Sequence, residues 1–295
     1  MWSDCGGWAT WGRATMIDGL SVDLEDWYQG LTSTNRRPGA WPTFESRVVE
    51  NTNRLLDILA EYKVKATFFV LGYVANAFPK LVSQIRQEGH EIGVHGYYHR
   101  RIYQLTPDEF AAEIDRAIAA IEPIIDEPII GHRAPYASIT EGSLWALDVL
   151  GEKGFQYDSS VFPTKNMLYG FPSAPRFPYH PIAGKSFIEF PLSTVRIMGV
   201  NIPIAGGFYL RALPYWFIKW GINRIHREEQ PAIIYLHPWE LDLNQPKPRV
   251  TPRERITHYH GRASLEGKLH RLLQDFHFAP LKDLLAIVGG GCNDE

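Results

Sequence analysis

Apolar residues recur along this chain in two alternating rhythms. Short runs rich in β-branched and aromatic residues occur at "LSVDL" (20–24), "KATFFVLG" (65–72), "EIGV" (91–94), "FIEFPL" (187–192) and "PAIIYLH" (231–237). Each is short enough to be a buried strand. The stretches between them have helical spacing. Residues 45–61 repeat Val48, Val49, Leu55, Leu56 and Leu59 in that way, and further helices are predicted over about 76–88, 140–152, 213–228 and 264–276. The helix at 213–228 would put Leu213, Trp216, Phe217, Trp220 and Ile225 on one face. "LTPDEF" opens another helix with the clearest start signal in the chain. Thr106 is its N-cap, Pro107 its first position, and Glu109 completes a capping box.

Strands that alternate with helices predict a parallel α/β fold. About seven β–α units with no linker point to a distorted (β/α)7-type barrel in a single domain. An open doubly wound sheet is disfavoured, because no GxGxxG or P-loop follows the first strand. Residues 163–186, rich in Pro, Gly and aromatics, read as a long irregular loop. Residues 1–15 are expected to be a loose extension, leaving 16–295 as the domain with a C-terminal helical extension.

Composition narrows the function classes. Hydrophobic content is 45%, charged content 21% and the net charge −3 over 295 residues. Those values suit a soluble globular protein and do not suggest nucleic acid or an anionic membrane as partner. No apolar run is long enough to span a membrane, and the first residues lack the pattern of a secretory signal, so the cytoplasm is the expected location. The two cysteines, Cys5 and Cys292, sit at opposite ends and give no disulfide framework.

The chemistry gathers at four strand ends: "SVDLEDWY", "GVHGYYHR", "GHRAPY" and "YLHPWE". In a parallel barrel those ends share one face, where active sites are built. An isolated HxxxH is more often two loop histidines than a metal pair, yet His95 and His99 would here meet carboxylates. On an extended strand Asp23 and Glu25 face one side and Asp26 the other. One acid could bind a metal and another act as base. Arg133 could clamp a carboxylate bidentately. His237 could be a general acid, a third ligand or a packed histidine. Trp27, Tyr97, Tyr98, Tyr136 and Trp239 could stack on sugar faces.

With these residues the sequence resembles the polysaccharide deacetylases, the carbohydrate esterase family with a NodB-type domain. The anchors are "SVDLEDWY", "ATFFVLG", "HEIGVHGYYHR", "GHRAPY" and "LHPWE", spread over about residues 17–240. The "VDLEDW" and "LHPWE" forms look most like the subgroup associated with bacterial exopolysaccharide loci. The resemblance implies a distorted barrel holding a divalent metal, most often zinc, on one acid and two histidines. It implies His95 and His99 as ligands, Arg133 as the residue holding the base, the Tyr136 backbone as the oxyanion-stabilising position, and His237 as general acid. The family commonly has two adjacent aspartates, a base and then a ligand. Here the order is D-x-E-D, so the base is read as Asp23 and the ligand as Asp26 or Glu25; aligning the adjacent pair would instead make Glu25 the base. The family's aspartate motif preceding the histidine has Asp158 as its nearest counterpart. The implied reaction removes N-acetyl groups from a poly- or oligosaccharide. Two alternatives are a hydrolase of small cyclic or linear amides and a non-catalytic carbohydrate-binding relative.

Overall fold

The structure is a computed structural model that describes residues 16–166 and 169–289. The expected extension 1–15 and both cysteines lie outside the described residues. Among the described residues the strands are β1 Ile17–Leu24, β2 Thr67–Val70, β3 Glu91–Val94, β4 Gly131–His132, β5 Tyr157–Asp158, β6 Ile188–Glu189, β7 Thr194–Ile197, β8 Val200–Pro203, β9 Ile233–Leu236 and β10 His277–Ala279. All except β7 and β8 join one parallel sheet. β1 is its hub: Ser21–Leu24 pair with β2, Gly19–Val22 with β9, and Ile17–Gly19 with β10.

The sheet curls into a half-barrel with helices around it, the single α/β domain that the alternating pattern predicts. β6 and β9 do not pair directly. The segment after β6 bridges them instead: the Ser193 hydroxyl accepts from Ile233 N–H (2.7 Å) and the Ala205 carbonyl from Tyr235 N–H (2.9 Å). Gly206 permits this approach, since a Cβ there would lie 1.8 Å from the Tyr235 carbonyl oxygen.

The helix Pro107–Ile125 starts as the sequence predicts, with Thr106 and Glu109 bonding each other's backbone N–H. The region 76–88 is two helices, Gly72–Ala77 and Pro79–Gln87, because Pro79 starts the second. The helix Tyr215–Arg227 buries Ile218, Gly221, Ile222 and Ile225. Trp216 is 69% exposed and Trp220 37%, so the predicted apolar face is corrected. The bulky aromatics drew the predicted stripe round the helix, whereas smaller aliphatics fit against Val195 and Ile204 at Gly221. The antiparallel β7–β8 hairpin was not predicted; Met198 and Gly199, both at positive φ, form its two-residue turn.

Candidate metal centre and active site

Glu25 stands just beyond β1, His95 just beyond β3, and His99 four residues later. Each is nearly fully buried. Gly96, at φ +73°, turns the chain back after His95, and His99 itself has φ +53°. Such backbone for a non-glycine residue costs energy and concentrates where a side chain must be aimed. The His99 carbonyl is fixed by Asn35 Nδ2 at 3.1 Å.

One donor atom from each of Glu25, His95 and His99 lies within 4.8 Å of the others. His95 donates from Nδ1 to the Arg133 carbonyl (2.8 Å), which leaves Nε2 as the free lone pair. Burial lowers the His95 pKa to about 4, keeping the ring neutral as a ligand must be. Burial works against ionising Glu25, but the His99 and His237 imidazoles outweigh it and hold its pKa near 2. Glu25 Oε2 sits 2.9 Å from His99 Nε2 yet is a buried oxygen with no hydrogen-bond partner among the described residues. A carboxylate oxygen left bare beside the His99 nitrogen, with a His95 nitrogen in the same cluster, suits a cation rather than a donor, so the residues present fit a divalent metal.

Asp26 points elsewhere. It caps the helix Trp27–Gly30, and its carboxylate accepts from Trp27 N (2.8 Å), Ser46 Oγ (2.6 Å), Arg47 N (2.9 Å) and Val48 N (3.2 Å). Its acceptor positions are filled by the protein. Of the two acids read as the third ligand, Asp26 therefore faces away from the histidines and Glu25 stands with them, as the strand alternation allows.

Asp23 lines the same cavity as Glu25. Arg133 Nη1 donates to its Oδ1 at 3.0 Å, while Oδ2 lies 4.0 Å from His95 Nε2 and 3.8 Å from His237 Nε2. Arg133 is 1% exposed, and its other N–H groups are held by Ser21 Oγ (2.6 Å), the Ser159 carbonyl (2.7 Å) and Ser159 Oγ (2.7 Å). The guanidinium is thus fixed before it meets Asp23. The contact uses one nitrogen, so the expected bidentate clamp is a single hydrogen bond.

His237 closes the opposite side, with Nε2 3.4 Å from Glu25 Oε1. Behind it stands an arrangement that sequence reasoning did not assign. Glu240 Oε2 accepts from His237 N–H (3.0 Å) and faces its Nδ1 (3.1 Å). Glu240 Oε1 accepts from Arg211 Nε (2.5 Å). The remaining N–H groups of Arg211 reach the carbonyls of Thr257, His258 and His260. Burial alone would lower the His237 pKa, but the Glu240 carboxylate, with Glu25 and Asp23, raises it to about 9. Asp158 is not this partner; it bonds His132 Nδ1 (2.7 Å) and Ser160 in the barrel wall. The signal for Glu240 was its three-residue spacing from His237, which is capping-box spacing. Arg211 had none, being 29 residues away. Replacing Arg211 by Ala would strand a buried carboxylate. A loss of about 3–5 kcal/mol in urea unfolding is expected.

The aromatic residues also divide differently from the sequence reading. Trp27, Tyr97 and Trp239 are buried. The Trp239 indole N–H donates to Glu25 Oε1 (2.9 Å), and its ring lies between His237 and His258. It is therefore a support for the acid and not a sugar platform. Tyr136 does reach the cavity; its ring lies 4.4 Å from that of His99. It is the second residue of the turn Pro135–Ala137, at φ +59°. The N–H at that position has no partner within its own turn and can serve an external acceptor. The cavity has a volume of about 520 Å³ and is further walled by Phe162 after β5, Tyr169 of the irregular loop, Tyr209 of the segment after β8 and Tyr235 of β9.

The sequence profile described as "Polysaccharide deacetylase" matches residues 32–155, and that of a domain of unknown function, DUF3473, matches 159–286. Asp23 and Glu25 precede the first match; Arg211, His237 and Glu240 fall in the second. A peptidoglycan-N-acetylglucosamine deacetylase of Bacillus cereus is 33% identical over 132 residues, 41% of this chain and 47% of that protein. A chitooligosaccharide deacetylase of Bradyrhizobium is 38% identical over 101 residues, 34% and 43% of the two chains. The chain thus spans under half the length of these curated relatives. The crystal structure of a candidate polysaccharide deacetylase from Mycobacterium smegmatis matches 98% of this chain and 96% of its own, with a TM-score of 0.64 at 20% identity, a likeness of fold. The chain thus carries, at residues 32–155, a domain that matches the polysaccharide deacetylase family.

Proposed function

We propose that the protein is a metal-dependent N-deacetylase of a bacterial exopolysaccharide or related N-acetylated glycan. The observation that carries this reading is the meeting of a Glu25–His95–His99 donor set with Asp23 on one side and His237 on the other. Zn2+ fits two imidazoles and a carboxylate with a position left for water or substrate. A metal bound there would polarise an amide carbonyl and acidify a water.

The chain's own groups supply the proton transfers. Asp23, oriented by Arg133, takes the proton from the attacking water. The Tyr136 N–H faces the developing oxyanion, a contribution of about 3 kcal/mol. His237, held by Glu240, donates a proton to the departing amine. The products are acetate and a free amino sugar.

The test is acetate release from a panel of N-acetylated oligosaccharides, with and without a chelator. Release that stops on metal removal and returns on adding Zn2+ is expected. Undiminished release after complete stripping would contradict the proposal. A preference for ring opening of a small cyclic amide would favour the alternative hydrolase.

A further inference from the structure

Beside the metal centre, and sharing Thr32, Arg36 and His99 with its cavity, lies a second hollow of about 240 Å³. Two Arg-Arg pairs in the sequence, 36–37 and 100–101, each send a residue to its wall. Arg36, Arg100 and Arg101 line it together with neutral groups such as Asn35 and Gln104, and among the described residues no carboxylate does. Arg101 is 8% exposed, and its Nε is a buried donor without a hydrogen-bond partner among the described residues. One Nη of Arg101 touches Thr32 Oγ1 at a long 3.4 Å, and the guanidinium lies over the Tyr136 ring.

Arg100 has weak ion pairs with Glu109 (3.7 Å) and Glu113 (3.8 Å). Arg36 and Arg101 have no carboxylate within 4.0 Å among the described residues. A buried guanidinium with an idle donor beside a second uncompensated arginine is costly unless something anionic completes it.

We propose that this hollow is a subsite for an oxyanion, carboxylate or phosphate, carried by a sugar next to the one being deacetylated. The substrate is then an acidic glycan. This rests on the deacetylase reading above for its connection to catalysis, but the binding it requires is independent of turnover. Arginine forks match carboxylate and phosphate oxygens, and the shared wall at His99 and Thr32 makes the hollow continuous with the reaction cavity.

Three oligosaccharides of equal length provide the test: a neutral N-acetylglucosamine oligomer, one alternating N-acetylglucosamine with glucuronate, and one carrying phosphate esters. Equilibrium binding is measured on the full chain with His237→Ala, whose turnover is slowed at least about 100-fold, and acetate release on the wild type. At least one anionic oligomer should bind more tightly than the neutral one, and which one does so identifies the oxyanion. Arg101→Gln should shrink that preference by roughly 10- to 100-fold. Arg36→Gln, at an exposed position where folding is not at stake, should shrink it by up to about fivefold. Equal affinity for all three oligomers, or a preference untouched by both variants, would overturn the subsite. Arginine-dependent preference with no acetate released from any oligomer would sink the deacetylase reading alone. Hydrolysis without charge preference would sink the subsite alone.

Discussion

Replacing Glu25 by Ala is expected to remove bound metal and to lower acetate release by more than about 100-fold, whereas Asp26→Ala should leave the metal in place. The contrast follows from where the two carboxylates point. Glu25 Oε2 is a bare buried oxygen beside His99 Nε2. Loss of a ligand should exceed the 10- to 100-fold cost typical of disturbing a ligand's supporting hydrogen bonds. Asp26 instead accepts four hydrogen bonds that tie the start of the helix Trp27–Gly30 to residues 46–48. Its removal leaves buried N–H groups without partners, and about 2–3 kcal/mol of stability should be lost. Metal content by elemental analysis, read beside urea unfolding, separates the two. A metal-free Asp26→Ala protein with unchanged stability would reverse the assignment.

The second large effect concerns His237. Its change to Ala should spare metal binding and reduce kcat by about 100- to 10,000-fold, the usual contribution of a positioned general acid. The imidazole is placed for that task by Glu240 and Arg211, both nearly fully buried. Glu240→Gln should fall between the wild type and His237→Ala in kcat, because the neutral amide still reaches His237 but no longer stabilises its charged form. Steady-state kinetics on metal-loaded protein measures both. Unaltered turnover in His237→Ala would remove it as the acid. Equal metal loss in that variant would make it a ligand.

The parts of this site that were legible in the sequence are those encoded locally. Alternation along β1 separates Asp23 and Glu25 from Asp26, and the structure keeps that separation. The capping signals at Thr106 and Glu109 depend on four consecutive residues and appear as written. What the sequence concealed depends on distant contacts. Arg211 becomes the partner of Glu240 only because the segment after β8 folds across the gap beside β9. Trp239 reads as a sugar platform until Gly30 is seen to pack on its ring and Glu25 to take its N–H. Trp216 and Trp220 mislead for a related reason: hydrophobicity says that a side chain prefers burial, not that a neighbour has room for it.

The other oxygen of Glu25 is held in place as well. Glu25 lies one position beyond the last residue of β1, and Trp239 holds its other oxygen from the far side of the cavity. The same indole N–H would then tune the charge that the carboxylate offers to a cation, and Trp239→Phe should weaken metal affinity roughly 10- to 100-fold while leaving the ligands intact.

The central claim is that Glu25, His95 and His99 hold one divalent metal on which amide hydrolysis depends. Its most direct test is calorimetric titration of the stripped 295-residue chain with Zn2+, alongside His95→Ala. One tight equivalent per chain, absent in the variant and matched by the return of acetate release, is the expected result. Full activity with no bound metal, or undiminished binding by His95→Ala, would contradict it.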